Sequence, residues 1–319
     1  MKNFTSVHDV SDPKALVKEA LHLKKHPYKY KSLGENRTLG LIFLNPSLRT
    51  RMSTQKAAQN LGMNVMVLNL DKEGWALETQ EGAIMNGATV EHIKEAAAVM
   101  GQYCDILGLR SFPKLQNREE DYSEDLLHQF IRYCQVPVVS LESATRHPLQ
   151  SLADQVTITE NTPAGKRPKV VLTWAPHVKA LPQCVANSFA EWMGQADVDL
   201  VITHPEGFEL ADAFTQGATV TYNQQEALQD ADFVYVKNWS AYNDYGKVLP
   251  DAQEWMLTNE KLQGSNNAKV MHCLPVRRNV ELSDEILDGP NSLVLEQANN
   301  RTYAAQAVLK TMLEQLKAH

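Results

Sequence analysis

Short apolar, β-branched runs alternate along this chain with amphipathic runs. Within the amphipathic runs apolar residues recur at helical spacing, as in 90–100, in 188–193 after the N-cap signal of Ser188, and in 304–316. Strands that alternate with helices predict an α/β protein with parallel sheets that are covered by helices on both faces. The apolar runs predict strands at 39–44, 64–70, 104–109, 136–141, 170–174, 199–203, 218–221, 232–236, 269–273 and 292–295.

The length of 319 residues favours two domains. The polar segment 160–168 contains two prolines and one glycine and precedes a new strand, so it predicts a loop just inside the second domain. We therefore expect the domain boundary near residue 150, at a connecting helix, with one domain at 1–150 and the other at 151–299. The final helical run is compatible with packing on either domain.

Composition narrows the class of protein further. A net charge of −7 argues against a nucleic-acid partner, and no apolar run approaches the roughly 20 residues of a membrane helix. The N-terminus has no apolar signal core, and the four cysteines are scattered without a C-x-x-C pair. These features predict a cytoplasmic protein with reduced thiols, no structural zinc and no membrane association.

The segment 45–51 has the features of a phosphate pocket. It follows the predicted strand 39–44 directly and precedes a helical run, 52–61, that Gly62 closes. A helix N-terminus offers unpaired N–H groups and a positive dipole end, to which Ser47 and Thr50 add hydroxyls and Arg49 and Arg51 add guanidinium groups. The alternative is that Ser47 is an ordinary N-cap and that both arginines face solvent.

Polar residues also follow the other predicted strands at their carboxyl ends, where open parallel sheets bind ligands. Any one of them taken alone is compatible with an ordinary loop residue, but seven strand ends that carry such residues, with the one before 45–51 included, predict a binding site. The residues are Arg110, Glu142, Arg146, His147, His177, His204, Lys237, His272, Cys273, Arg277 and Arg278.

Several common site motifs do not occur in the sequence. It contains no G-x-G-x-x-G, Walker A or G-x-S-x-G pattern. We therefore predict no metal and no cofactor, and a phosphate pocket beside a second basic pocket. A cysteine after an apolar strand, such as Cys273, is more often a small buried residue than a nucleophile.

Three motifs together resemble those of the aspartate and ornithine carbamoyltransferase family. They are S-x-R-T-R at 47–51, H-P-x-Q-x-x-x-D at 147–154 and H-C-L-P at 272–275, and they occur in the family's order and spacing over nearly the whole chain. The segment 298–301 resembles the N-R element at the start of the family's last helix. The resemblance implies a carbamoyl phosphate domain at 1–150, joined by a C-terminal helix at about 300–319, and an acceptor domain at 151–299.

The chain departs from the ornithine enzymes in a way that resembles the N-acylornithine branch. The S-M-G loop and the Asp-Gly-Asn-Asn segment of the ornithine enzymes are absent, and 173–177, 181–183 and 274–279 stand in their place. Trp75 and the segment 189–193 also suit the N-acetylornithine and N-succinylornithine carbamoyltransferases. In that branch the segment 176–182 is threaded through a loop, so the resemblance implies a knot in the C-terminal domain.

The resemblance also implies roles for individual residues. Thr50, Arg110, His147 and Cys273 would be catalytic, and Trp75 would reach into the site of a neighbouring subunit of a homotrimer. The carbamoyl phosphate site would comprise Ser47, Leu48, Arg49, Thr50, Trp75, Arg110, His147, Gln150, Leu274 and Arg301. The acylornithine site would comprise Glu142, His177, Lys237, Cys273, Arg278 and Val90. Glu142 could instead only hold a cation in place, and His177 could be a loop histidine.

Val90 bears on the acyl group, because the family's discriminating position aligns with it. Acetyl enzymes carry glutamate at that position and succinyl enzymes carry proline. A glutamate would repel the terminal carboxylate of a succinyl group, whereas valine is uncharged and close to proline in size. We therefore predict carbamoyl transfer to N2-succinyl-L-ornithine in arginine biosynthesis.

Three alternatives are open from the sequence. The acceptor could be N-acetylornithine, or ornithine or another free amine. A different class is a regulator that binds a phosphate metabolite on the same fold without chemistry.

Overall fold

The computed structural model describes residues 1–250 and 252–317, which form two compact units. The first unit comprises Met1–Pro113, Glu119–Leu149 and the chain from Arg301 onward. The second unit comprises Lys114–Arg118 and Gln150–Asn300. Each unit contains a parallel sheet with helices, which confirms the predicted α/β class.

The strands and helices alternate along the described chain. The strands are β1 Thr38–Phe43, β2 Asn64–Asn69, β3 Leu77–Glu78, β4 Glu91–His92, β5 Ile106–Arg110, β6 Val138–Glu142, β7 Lys169–Trp174, β8 Asp199–Thr203, β9 Thr219–Thr221, β10 Phe233–Lys237 and β11 Lys269–Met271. The helices are α1 Pro13–Lys25, α2 Arg49–Asn60, α3 Leu70–Glu73, α4 Ile93–Tyr103, α5 Arg118–Ser123, α6 Asp125–Tyr133, α7 Pro148–Asn161, α8 Cys184–Gly194, α9 Asp212–Thr215, α10 Gln224–Leu228, α11 Asp284–Leu287 and α12 Val294–Lys317.

The sheet of the first unit has the strand order β2-β1-β5-β6, with every pair parallel. The central strands β1 and β5 are almost entirely buried, as expected when helices cover both faces, whereas the edge strand β2 is only partly buried. Apolar side chains of Ile42, Leu107, Ile93 and Phe130 form the core between this sheet and α4 and α6. The carboxyl ends of β1, β5 and β6 consequently lie at one edge.

The sheet of the second unit has the order β11-β10-β7-β8-β9, again with every pair parallel. Its central strands β7 and β10 are buried, and Val171, Val234 and Val270 pack in the core with Leu282. The carboxyl ends of β7, β10 and β11 therefore share an edge, from which the residues after 174, 237 and 271 emerge.

Two helices each have residues in both units. The helix α7 begins at Pro148 in the first unit and continues from Gln150 in the second, and α12 passes into the first unit at Arg301. The predicted C-terminal helix is confirmed, although α12 begins at Val294, ten residues before the predicted run 304–316. Its apolar positions Val308, Leu309, Met312 and Leu313 are buried, as their helical spacing predicts.

Two local predictions are wrong. The run 292–295 is not a strand, because only Ser292 pairs with β11 and α12 begins at Val294. Ser188 is not an N-cap, because α8 begins at Cys184 and Ser188 is fully buried inside it. Both runs are short. In a short apolar run the sequence pattern neither distinguishes a strand from a helix nor locates the first residue of a helix.

The predicted helix after the first strand is α2, and it ends where predicted. Gly62 has φ +81°, and a Cβ atom there would clash with the carbonyl oxygen of Lys31, so glycine is needed to end this helix. Among the described residues, no helix is both long and apolar enough to cross a membrane.

Candidate active site

The turn between β1 and α2 leads into a helix whose first turn is not capped by a side chain. The N-cap residue is Leu48, with φ −88° and ψ −62°, and no side chain accepts a hydrogen bond from the first turn. The N-cap role considered for Ser47 is therefore wrong. Uncapped N–H groups at the start of a twelve-residue helix favour an anion at this position.

Thr50, in the first turn of α2, is joined to the last helix. Its side chain is buried, and its Oγ1 accepts a hydrogen bond of 2.6 Å from Nη2 of Arg301. The same Nη2 lies 3.4 Å from Nε2 of His147, which begins the segment before α7. The structure thus brings together Thr50 of the S-x-R-T-R motif, His147 of the H-P-x-Q-x-x-x-D motif and Arg301 of the N-R element.

Arg110 and Glu142 form a buried ion pair beside this group. They end the neighbouring strands β5 and β6, and Nη1 of Arg110 donates a short hydrogen bond to Oε2 of Glu142. The same Oε2 lies 3.3 Å from Nε2 of His147. We call Thr50, Arg110, Glu142, His147 and Arg301 the Arg110 cluster.

The electrostatics of the Arg110 cluster favour a neutral histidine. Burial, followed by the positive charges of Arg301 and Arg110, holds the pKa of His147 well below its ordinary value. Nε of Arg110 and Nδ1 of His147 are buried and have no hydrogen-bond partner among the described residues. Buried polar atoms without a partner are uncommon in proteins and are expected where a polar ligand binds.

Arg51 is turned into the fold. Its guanidinium lies over the ring of Phe43, 4.9 Å from the centroid, and donates a short hydrogen bond to Asn69 Oδ1. Arg51 therefore supports the turn through β1 and β2.

Trp75 and Val90 lie on one exposed segment of the first unit. Trp75 is 54% exposed and donates from Nε1 to Glu91 at 2.8 Å, and Val90 is 64% exposed. The short parallel pair β3 and β4 fixes this segment, since Leu77 lies opposite Glu91. These two predicted site residues thus precede the paired strands β3 and β4 of the first unit, and neither is in the Arg110 cluster.

In the second unit, a buried acid organises the residues after β11. Glu281 is almost fully buried, and its Oε1 lies 3.2 Å from Nε2 of His272 while its Oε2 accepts from the backbone N–H of Arg277 at 2.8 Å. Burial acts to raise the pKa of Glu281, but the bond to His272 and the charges of His272 and Lys237 lower it to about 2. Glu281 is therefore ionised across the physiological range.

His272 also fixes the backbone of the segment that follows it. Its Nδ1 accepts a hydrogen bond of 2.9 Å from the backbone N–H of Leu274. Leu274 has φ +56°, a conformation that costs a residue with a side chain on the order of 1 kcal/mol and is held here by that bond. The thiol of Cys273 is buried between these two residues.

Lys237 and His177 follow the neighbouring strands β10 and β7. Lys237 is buried and donates from Nζ to the carbonyl oxygen of Asn238 at 2.9 Å. Nε of Arg277 donates to Nε2 of His177 at 3.1 Å, and burial lowers the pKa of His177.

Arg278 lies apart from these residues. Its guanidinium is half-exposed and donates to Asp284 at 2.8 Å and to Asp288 at 2.7 Å. The structure therefore places Arg277, and not Arg278, beside His177.

A second buried network surrounds Asp154 on α7. Its Oδ1 accepts hydrogen bonds of 2.7 Å from Nε2 of Gln150 and of 2.7 Å from Nε2 of Gln297. Oε1 of Gln297 in turn accepts from the backbone N–H of His272 at 2.9 Å. We call Gln150, Asp154, Gln297 and His272 the Asp154 network.

Sequence reasoning missed Glu281 and Gln297 as parts of the site. Neither belongs to a strand-end cluster or to a quoted motif, and each reaches the segment 272–274 from a different element. The H-P-x-Q-x-x-x-D spacing did contain a signal for Asp154, because residues four apart on a helix share a face.

Comparisons with known proteins identify the family of this chain. Residues 2–160 match the model of the aspartate/ornithine carbamoyltransferase carbamoyl-P binding domain, and residues 182–312 match that of the Asp/Orn binding domain. The chain belongs to the aspartate/ornithine carbamoyltransferase family, as its motifs predicted.

Three similar proteins define the branch. An N-succinylornithine carbamoyltransferase of Bacteroides thetaiotaomicron is 53% identical over 319 residues, covering 99% of this chain and 100% of the relative. An N-acetylornithine carbamoyltransferase of Xanthomonas campestris pv. campestris is 34% identical over 339 residues, covering 99% and 98%. A solved structure of N-acetyl-L-ornithine transcarbamylase, a glutamate-to-valine variant complexed with carbamyl phosphate and N-succinyl-L-norvaline, has a TM-score of 0.91 at 33% identity and covers 98% and 100%.

Proposed function

We propose that this enzyme transfers the carbamoyl group of carbamoyl phosphate to the side-chain amine of N2-succinyl-L-ornithine. The products are N-succinyl-L-citrulline and phosphate, and the reaction belongs to arginine biosynthesis in the cytoplasm. The observation that carries the choice of acceptor is the contrast in identity, 53% to a succinylornithine enzyme against 34% to an acetylornithine enzyme.

Val90 supports the same acceptor. By the resemblance, it stands at the position at which the acetyl enzymes of the family carry glutamate. The similar structure in which a glutamate is replaced by valine was crystallised with N-succinyl-L-norvaline. An apolar side chain here spares the succinyl carboxylate a repulsive neighbour.

The first unit would bind the phosphate and the carbonyl oxygen. Ser47, the main chain of Leu48, Arg49, Thr50 and Arg301 would hold the phosphate, in keeping with the start of α2, which no side chain caps. Arg110, His147 and Thr50 would surround the carbonyl oxygen, where negative charge builds up as the amine attacks. Donors already in place for that charge lower the barrier, and the partnerless Nε of Arg110 is suited to this task.

The amine must attack without its proton, although a free alkylamine has a pKa near 10. A positively charged site lowers the pKa of the bound amine, and the leaving phosphate accepts the proton as the C–O bond to phosphate breaks. No side-chain base is needed. In the second unit, Gln150 would orient the carbamoyl nitrogen, and the carbonyl oxygen of Leu274 and the thiol of Cys273 would face the amine.

The acylornithine would be held by Glu142, His177, Lys237, Arg278 and Val90. Lys237 is buried at the end of β10, which suits a carboxylate partner. Because Arg277 contacts His177, we add Arg277 to the candidates and rank it above Arg278, whose guanidinium already pairs with Asp284 and Asp288.

We further propose a homotrimer in which Trp75 completes the site of a neighbouring subunit. Large apolar side chains are exposed on two segments of the first unit, 48–52 and 75–90, and such exposure is typical of an interface. They are Leu48, Met52, Trp75, Ile84 and Val90.

Mixing two inactive variants tests the shared site. Trp75→Ala and Arg110→Ala subunits, when dissociated together and reassembled, would regain activity, because some sites would receive Arg110 from one subunit and Trp75 from another. Reassembly without any regained activity would place Trp75 and Arg110 in the same subunit's site.

The knot in the second unit is also a proposal. It is supported by the resemblance of the segment 176–182 and by its contact with the loop after β10, where Ser240 donates to the carbonyl oxygen of Leu181 at 3.0 Å. Tracing the main chain in a crystal structure at atomic detail tests it. An unthreaded path of 176–182 would refute it.

The acceptor is tested by a citrulline-forming assay with carbamoyl phosphate and each acceptor in turn. We expect the highest kcat/KM with N2-succinyl-L-ornithine, a lower value with N2-acetyl-L-ornithine and the lowest with ornithine. A preference for the acetyl compound would overturn the choice of acyl group, and a preference for ornithine would exclude the branch. Calorimetric binding of carbamoyl phosphate without turnover of any acceptor would indicate a non-catalytic regulator.

A further inference from the structure

The Asp154 network is buried, and the donor and the acceptor of each of its hydrogen bonds are fixed. Asp154, Gln150 and Gln297 have no exposed surface, and His272 has almost none. At one end, the backbone N–H of His272 can only donate. At the other, the carboxylate of Asp154 can only accept.

These two ends determine how both glutamine amides are turned. Gln297 must present Oε1 to His272 and Nε2 to Asp154, and Gln150 must likewise present Nε2 to Asp154. An amide whose nitrogen is held in this way has its oxygen on the other side. Oε1 of Gln150 is buried and has no hydrogen-bond partner among the described residues.

We propose that Asp154 is a positioning residue that makes the site selective for the carbamoyl group. By holding Nε2 of Gln150, Asp154 leaves Oε1 as an acceptor that can be satisfied only by a donor. The amino group of carbamoyl phosphate is such a donor, whereas the methyl group of acetyl phosphate is not. The inference rests on the proposed function, in which Gln150 faces the carbamoyl nitrogen.

The size of the effect follows from the cost of an unsatisfied acceptor. A buried polar atom left without a partner costs about 1–3 kcal/mol, or roughly 5- to 150-fold in binding. Acetyl phosphate would pay this cost in the wild type, because Gln150 cannot turn its oxygen away. Without Asp154 the amide can rotate, so the cost falls.

Gln297 offers a matched control. It donates to the same Oδ1 and is equally buried, but it connects Asp154 to the backbone of His272 and not to Gln150. Its loss should disturb the segment 272–274 and raise KM for the acylornithine, while Gln150 stays held by Asp154.

The experiment compares Asp154→Ala with Gln297→Ala. Dissociation constants for carbamoyl phosphate and acetyl phosphate are measured by titration calorimetry, which requires no turnover. We expect the preference for carbamoyl phosphate to fall about tenfold in Asp154→Ala and to stay within about twofold of wild type in Gln297→Ala. An unchanged preference in folded Asp154→Ala, or an equal fall in both variants, would reduce Asp154 to a structural residue.

Gln150→Glu provides a test that does not need Asp154 to be replaced. Two carboxylates at this distance cannot both be ionised, so the pair would hold a proton near neutral pH. The pH profile of carbamoyl phosphate binding should then show an ionisation that the wild type lacks. A profile that superimposes on that of the wild type would refute the contact between Gln150 and Asp154.

The outcomes separate this inference from the proposed function. A wild type that binds carbamoyl phosphate with preference over acetyl phosphate, and loses the preference in Asp154→Ala, supports the inference even if no acylornithine is carbamoylated. Equal binding of the two phosphates by the wild type overturns it, even if N-succinyl-L-citrulline is formed.

Discussion

The two units use buried charge in opposite ways. In the first unit, the Arg110 cluster is built from groups that donate, two guanidinium groups and a neutral imidazole, around the carboxylate of Glu142. In the second unit, the carboxylates of Asp154 and Glu281 accept hydrogen bonds from the side chains and backbone around the segment 272–274. The first arrangement is suited to binding an anion, and the second to holding a segment of backbone in place.

This difference separates candidate ligand-binding residues from residues that position others. Partnerless polar atoms occur in the Arg110 cluster at Arg110 Nε and His147 Nδ1, where a ligand would satisfy them. The oxygens of Glu281 are both engaged by the protein. Replacements in the first unit should therefore change kinetics more than stability, and those at Glu281 should do the reverse.

The largest effect is expected for Arg110→Ala. Loss of this donor removes stabilisation of the developing oxyanion, so kcat should fall about 10²–10³-fold. Steady-state citrulline formation measures it, with Arg37→Ala as control, because Arg37 pairs with Asp105 at a partly exposed position of the same unit. Turnover like that of the wild type would place Arg110 outside the chemistry.

Glu281→Gln should mainly lower stability. The pKa of about 2 in the folded protein lies below the ordinary 4.5, so ionised Glu281 stabilises the fold by roughly 3 kcal/mol at neutral pH. This contribution is complete above pH 4.5 and is lost as the pH falls toward 2.

Urea denaturation of wild type and Glu281→Gln at several pH values measures this contribution, with the exposed Glu285→Gln as control. The difference in free energy of unfolding should be constant from pH 8 to about 5 and shrink below that. A difference that grows as the pH falls would mean that Glu281 is not ionised in the fold.

Arg301→Lys should weaken carbamoyl phosphate binding by about tenfold with a small effect on the free energy of unfolding. A lysine ammonium cannot reproduce the planar guanidinium that meets both Thr50 and His147. The KM for carbamoyl phosphate measures the change, with the exposed Arg132→Lys as control. If the free energy of unfolding changes and the KM does not, Arg301 contradicts the expectation that replacements in the first unit change kinetics more than stability.

Val90→Glu should have the smallest effect. A carboxylate near the succinyl terminus in a largely aqueous setting costs about 1 kcal/mol, or roughly fivefold in the ratio of kcat/KM between succinylornithine and acetylornithine. Val90→Gln is the matched control, because glutamine has the same shape as glutamate without its charge. An unchanged ratio in Val90→Glu would mean that Val90 does not line the acyl pocket.

Most of the fold could be predicted from the sequence, because the buried parallel strands read as continuous apolar runs. Nine of the ten predicted strands correspond to strands among the described residues, and the tenth, 292–295, is the start of α12 with one bridge at Ser292. The pairs β3 and β4 were missed, since two-residue strands leave no periodic pattern.

The site could be predicted only in part. Motifs identified Thr50, His147 and Arg301, and the end of a predicted strand identified Arg110, and the structure brings these residues together around Glu142. Spacing did not reveal that Arg278 pairs with Asp284 and Asp288 while Arg277 contacts His177, because adjacent side chains point in different directions and tertiary packing selects between them.

The sequence by itself determined the alternation of strands and helices, the family and the candidate residues for the chemistry, because periodicity and motif spacing are local properties of the chain. Tertiary structure alone decided which polar atoms of those residues are engaged and which are left for a ligand. Hydrogen bonds between Asp154 and Gln297, or between Glu281 and His272, join residues far apart in sequence or on different elements. Such pairings depend on the sheet order and on burial, which set the direction of each amide and the charge of each acid.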